Sequence, residues 1–415
     1  MEMDLFGEVR SILQEPPSLS SFFRLRGLFE DGSCPEEVFV YIDEHLGRWP
    51  PNIPRYIPHM WLPKDGGALP RVASFCNAFV LTDSDTSFEV VRSWLGSEHS
   101  RGLSLLGLPR FRISAEQWQM LGELDALQAL GYLDVSGCGL GEEGSAVICS
   151  LPFLKGLQTL DVSSNAIGEE GLDALAAVPW SRLETLRTRV NSLDAFALGG
   201  FVRGEHWSTV RTLDLSNNPI GEDGVERIAR ARGLASVVSL SFAYCNITSG
   251  GLARLARGDG LRQLESLDLS STSIEDLSEN AHRLERFSKL RELRLHGNRL
   301  RAENLAFLLE DGVIPQLEVL DLSVTALGDE GIARIARCDR FESLRELRLA
   351  GNRMTADGAR ALAQATWLSG LEKLDLGLVN DARLDVVEAI ASAPFLPEAL
   401  KQPWRERHAR LLARG

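Results

Sequence analysis

The sequence predicts an α/β solenoid, with parallel strands along an inner side and helices along an outer side, preceded by a small helical head. Three observations predict it. An eleven-residue phrase, clearest as VRTLDLSNNPI at Val210–Ile220, returns every 26 or 27 residues, starting at Leu103, Leu130, Leu157, Leu183, Val210, Val237, Leu264, Leu290, Leu317, Leu344 and Leu371. Numbered from zero, the phrase is apolar at steps 0, 3, 5, 8 and 10, with Asn or a small substitute favoured at step 8. The rest of each repeat has helical spacing, as in Leu172, Leu175, Ala176 and Val178, or Val225, Ile228 and Ala229. A fixed period in the twenties is the signature of stacked repeats.

The phrase sets its own geometry. Steps 3 and 5 face one way in a strand, and steps 2, 4 and 6 face the other, so one row is buried and one is displayed. Strands about 4.8 Å apart lie opposite wider helices, and that mismatch bends the stack into a horseshoe with the strands on the concave side. A dozen strands give an inner arc of about 50 Å.

Composition narrows the function. A formal charge of −14 over 415 residues argues against nucleic acid, which demands clustered Lys and Arg. Cys34, Cys76, Cys138, Cys149, Cys245 and Cys338 are far apart, and no CxxC or HExxH spacing occurs, so no metal or cofactor is expected. Cys138 and Cys245 stand at step 8 and are read as small core residues. The opening MEMDLFGEVRSIL carries acids before any apolar run, and no stretch reaches the length of a membrane span. A cytoplasmic monomer that does not engage membranes is expected.

Taken in order, residues 1–49 form the head. Leu5, Val9, Ile12 and Leu13 mark one helix, Pro16–Pro17 end it, and Phe22–Phe29 and Val38–Leu46 suggest two more. Residues 50–75 are a connector whose proline- and aromatic-rich run WPPNIPRYIPHMWLP precludes regular helix or central strand and should pack rather than hang free. Residues 76–397 hold about 12 repeats. The first is a weaker copy on Cys76, Phe79 and Leu81, completed by a helix at Phe88–Leu95. In the next strand Leu105, Gly107 and Pro109 make the displayed row apolar, so the head or connector should cover that end. Residues 398–415 form a capping helix at Trp404–Leu412, with Trp404, Leu411 and Leu412 on the core edge and Arg405, Arg407 and Arg410 in water.

LDLSNNPI followed by GEDGVERIA resembles the ribonuclease-inhibitor-like class of leucine-rich repeats, whose outer side is helical. The head, with an amphipathic helix, a proline break and LFEDGS at Leu28–Ser33, is similar to the short repeat-companion domain that precedes such repeats in bacterial proteins. The resemblance implies protein binding and supplies no catalytic residues.

The displayed columns point to candidate contacts. Step 4 reads Asp161, Arg187, Asp214, Ser241, Asp268, Arg294, Asp321, Arg348, Asp375, an alternation that predicts a self-neutralising cross-strand ladder. Step 6 is small, as in Ser136, Ser163, Ser216, Ala243, Ser270, Ser323, Ala350 and Gly377, except at Arg189 and His296. Tyr244 at step 7 and Tyr132 at step 2 are aromatic among small or polar neighbours. Arg and Tyr are enriched among interface anchors, so Tyr132, Arg187, Arg189, Tyr244 and His296 are the expected partner-binding residues. Trp180 and Trp207 are read as core. The acidic pairs in GEEG, GEDG and GDEG mark helix starts rather than cation sites. His206 and His282 lack a nucleophile at known spacing. The expected function is a non-enzymatic scaffold that grips a protein with its concave face. The alternatives are an enzyme regulator, resembling GTPase activators or nuclease inhibitors, and a bacterial effector.

Overall fold

The structure is a computed structural model that describes residues 5–29, 33–50, 53–57, 71–81, 86–276, 287–305, 316–377 and 384–413. The chain divides into two compact units, Met1–Arg187 and Thr188–Gly415.

The first unit opens with helices Leu5–Gln14, Leu19–Gly27 and Glu36–Leu46. Pro16–Pro17 separate the first two, and Ser18 caps the second by accepting the Ser21 N–H. Strands β1 (Ala78–Val80), β2 (Leu105–Gly107), β3 (Tyr132–Asp134), β4 (Thr159–Asp161) and β5 (Thr185–Arg187) follow, parallel and in chain order. The weak first copy of the phrase is thus a strand, and its helix runs Phe88–Leu95 as the spacing predicts. Residues 53–57 lie along the outer edge of β1: the Ile57 N–H donates to the Ala78 carbonyl, and Asn77 returns a bond to Arg55. Buried Trp49 and Ile57 and the stacked rings of Phe23 and Tyr56 pack this part of the connector and tie the head to the sheet. An edge that would otherwise present unpaired backbone is thereby covered. The connector expectations that rest on Pro51, Pro58, Trp61 and Pro63 lie outside the described residues, as does His282.

The second unit continues with β6 (Thr212–Asp214), β7 (Ser239–Ser241), β8 (Ser266–Asp268), β9 (Glu292–Arg294), β10 (Val319–Asp321), β11 (Glu346–Arg348) and β12 (Lys373–Asp375). These too are parallel and in chain order, each step meeting the same step of its neighbour.

In both units the leucines at step 3 from Leu106 to Leu347 are buried, as are the step 5 residues. Trp180 and Trp207 are buried, their indole N–H groups donating to the carbonyls of Leu175 and Phe201. The GxxG phrases fix the strand-to-helix turn. The first glycine, as at Gly168 and Gly221, has φ of +61, which only glycine adopts without strain. The second lets the helix sit on the step 10 side chain: a Cβ at Gly224 would lie 2.6 Å from Cγ2 of Ile220.

Step 8 links the repeats. Asn352 Nδ2 donates to the carbonyls of Leu322 and Leu349 at 2.7 and 3.0 Å, and its Oδ1 accepts the N–H groups of Thr325 and Leu327 at 3.1 and 3.2 Å. Asn165, Asn218 and Asn298 repeat this bridge to the preceding repeat. Cys245 and Cys138 do half of it, each thiol donating to the preceding step 5 carbonyl, at 3.2 and 3.0 Å. Burial pushes both thiols up to about 12, so they stay protonated and inert.

One expected contact fails. The last helix begins earlier than its amphipathic pattern suggests, running Glu398–Leu412 through Pro403. Trp404 and Leu411 are half-buried, whereas Leu412 is 57% exposed. Leu411 lies seven residues, two helical turns, beyond Trp404, and Leu412 is rotated about 100° past that stripe.

Candidate binding surface

Strand geometry carries the displayed row. Because steps 3 and 5 enter the core, steps 2 and 4 stand on the other face, half-exposed at most repeats and buried at Asp321. In the first unit this places Tyr132 and Arg187 on that face. Tyr132 is half-buried; burial raises its phenol above the ordinary value, Asp134 adds to this, and Arg187 opposes it. Asp161 also titrates above its ordinary value, chiefly through burial, against the bond it accepts from Ser163. Arg187 forms no ion pair among the described residues.

In the second unit Arg189 is exposed and lies 3.8 Å from the Asp214 carboxylate. His296 is half-exposed, and Tyr244 is 54% exposed. The step 6 residues between them, Ser216, Ala243, Ser270 and Ser323, are small and buried, so the larger groups stand clear of a low floor.

The step 4 alternation acts differently from the expected ladder. Of the step 4 arginines, only Arg348 reaches across a strand among the described residues, to Asp321 at 3.4 Å, while Arg294 pairs with Glu292 of its own strand. The aspartates instead cap the turn that follows: Asp134, Asp161, Asp214, Asp268 and Asp321 each accept the step 6 N–H at 2.8–3.0 Å, and Asp375 does so from Gly377. Arg189 and His296 stand two residues after Arg187 and Arg294, in repeats that lack this cap. The D-x-S spacing is the mark of this cap in the sequence. A charge ladder does occur three steps earlier, at step 1, where Arg291 pairs with Glu318 and Arg345 lies 3.9 Å from Glu372.

The acidic helix starts also bind inward. Asp329 accepts the N–H groups of Thr355 and Gly358, at 2.7 and 3.1 Å, and the Thr355 hydroxyl at 2.6 Å. Among the described residues no cluster of His, Cys, Asp and Glu could hold a metal ion, and no helix is long and apolar enough to cross a membrane.

Step 7 was barely visible from sequence. In every described repeat from Arg110 to Gly351 it is left-handed, whatever residue stands there: Ser164, Asn217, Ser271 and Gly297, but also Val190 (φ 54), Tyr244 (φ 59) and Val324 (φ 57). These three are the apolar or aromatic members, and each is about half exposed, at 51, 54 and 52%. The row is close-packed along its length, since a Cβ on Gly351 would lie 2.9 Å from Cγ2 of Val324.

The family profile described as Leucine Rich repeat matches residues 157–176, 208–229 and 342–363. The chain carries leucine-rich repeats. A chain of the crystal structure of the TLR13–ssRNA13 complex aligns with a TM-score of 0.42 at 18% identity, over 74% of this chain and 44% of that one, so the present chain spans less than half of its length. Comparison with curated protein sequences gives no match.

Proposed function

We propose that the chain is a non-catalytic, cytoplasmic scaffold that binds a protein through the displayed face of its leucine-rich repeats, with Tyr132 and Arg187 contributing in the first unit and Arg189, Tyr244 and His296 in the second. One observation carries this reading. On a rigid strand row, small buried step 6 residues leave Arg189, Tyr244 and His296 projecting above their neighbours. A pre-formed surface of this kind loses little order when a partner docks, and large polar or aromatic groups above a low floor are what interface anchors look like. The free, buried and protonated thiols of Cys76, Cys138 and Cys245 fit a reducing compartment. The resemblance of LDLSNNPI–GEDGVERIA to the ribonuclease-inhibitor-like class, and of the head to a bacterial repeat-companion domain, supports the same reading.

The test is capture from a lysate of the source cell on immobilised wild type and on an Arg189→Ala/Tyr244→Ala/His296→Ala variant of unchanged melting temperature. The expected result is a protein retained by the wild type and lost from the variant. Equal recovery would move the site to the head or to the helices.

A further inference from the structure

We infer that the turn edge of the second unit receives an acidic protein segment bearing apolar side chains, which seats on Val324 and spans Arg299 and Arg353. This rests on the protein-binding reading above and assigns its chemistry and its place.

The first observation is charge. Most arginines of the neighbouring strands are employed: Arg291 with Glu318, Arg294 with Glu292, Arg348 with Asp321 and Glu346, and Arg345 with the Gly370 carbonyl and Glu372. Arg299, Arg301 and Arg353 are exposed and make no ion pair or side-chain hydrogen bond among the described residues. Four acids of the intervening repeat are engaged elsewhere, Glu318 with Arg291 and Glu330 with Arg334 among them. Asp321 is buried and holds Ser323 and Arg348, and Asp329 holds Thr355 and Gly358. Glu303 offsets one of the three charges. A chain with a formal charge of −14 therefore keeps a local cationic edge, which attracts and orients an acidic partner.

The second observation is apolar and strained. Val324 occupies step 7 of the repeat between those that supply Arg299 and Arg353, and those two arginines share step 9. They are two repeat spacings apart, about 10 Å, with only Ala326 at step 9 between them. A β-branched residue in left-handed backbone is unfavourable, and such strain concentrates at functional sites. Here it holds an apolar side chain in water, half exposed. Further along the same row Tyr244 and Val190 repeat the arrangement, with Asn217, Ser271 and Gly297 standing between the large members. Carboxylates flanking an apolar residue match cations flanking a valine. A nucleic acid fits less well: Val190 and Val324 offer nothing to a phosphate backbone, and Asp214 and Asp268 on the adjoining strands repel one.

The experiment selects a displayed library of random twelve-residue peptides on the full chain, with a random single-stranded RNA pool as a parallel arm. The expected peptide pool is enriched in Asp or Glu beside Leu, Ile or Phe, and its members bind an Arg299→Glu/Arg353→Glu variant at least about tenfold more weakly. Val324→Asn weakens them too, without lowering the melting temperature. A pool with no excess of acid, binding that survives the charge reversal, no enrichment at all, or tighter retention of RNA each overturns the inference. If an acid-poor pool is instead lost on Arg189→Ala/Tyr244→Ala/His296→Ala, the scaffold reading stands and this edge alone falls.

Discussion

Steps 7 and 8 are neighbours in the chain and opposite in behaviour. Step 8 is buried at Asn165, Asn218, Cys245, Asn298 and Asn352, and the side chain there closes bonds to the repeat before it. Step 7 is turned outward in left-handed backbone, and its identity ranges over Arg, Gly, Ser, Val, Asn and Tyr. The repeat thus fixes one residue by internal demand and frees the next from it. Where the free position nevertheless carries a group that its backbone disfavours, as at Val190, Tyr244 and Val324, folding gives no reason for the choice.

The largest test of that contrast is at step 8. Asn352→Ala removes the Nδ2 bonds to Leu322 and Leu349 and leaves the Thr325 and Leu327 N–H groups unsatisfied, which should cost about 2–4 kcal/mol in denaturant unfolding. Cys245→Ala loses one weak donor and should cost about 1 kcal/mol. Equal losses would dissolve the distinction between a bridge and a filler.

Next comes the packing of step 7. Gly351→Ala puts a Cβ at φ +71 and 2.9 Å from Val324 Cγ2, for an expected loss of about 1–2 kcal/mol. A double-mutant cycle with Val324→Gly should recover the collision but not the backbone strain. Additive losses would mean that the row does not touch itself in solution.

Smaller, and opposite in sign, is Val324→Asn. Asn tolerates left-handed backbone, so stability should rise by about 0.5–1 kcal/mol while partner binding falls. A variant less stable than the wild type would show that Val324 is a structural residue.

The smallest effect concerns step 4. The Asp161 carboxyl is raised above its unfolded value, chiefly by burial, so its favourable contribution is fully present below the unfolded pKa and is lost as pH rises through the folded pKa. Asp161→Asn keeps an oxygen for the Ser163 N–H and removes the titration. Relative to this variant, the wild type should gain stability as pH falls through the carboxylate range, read as melting temperature against pH. A gain toward high pH would reverse the assignment.

The fold was legible because one period imposes one environment. Leu at step 3 repeats from Leu106 to Leu374 without exception, so strand, face and register followed from spacing. The site was legible only in part. Large residues in a small column drew attention to Arg189 and His296, but the aspartates between them were read as charges seeking arginines, whereas each caps its own turn. Column reading weighs side chains against neighbouring strands and is blind to a bond closed two residues along the same chain. Val190 and Val324 are illegible for a related reason: backbone handedness leaves no mark on a valine, and only the glycines at Gly137, Gly297 and Gly351 hint at it. At the other end, Leu412 counted as apolar and so as buried, although its angle around the helix turns it outward.

The step 8 bridge gives the array a polarity. Asn352 completes the carbonyl of Leu322 and the amides of Thr325 and Leu327, all in the repeat before it, and Asp329 receives its donors from the repeat after it. Each member of the series is therefore finished by its successor. At this bridge, trimming from the carboxyl side orphans backbone amides and a carbonyl that are fixed in place, whereas trimming from the amino side orphans an Asn side chain that can rotate into water. Nested deletions from the two ends should accordingly lose solubility at unequal rates, the carboxyl-side series failing first.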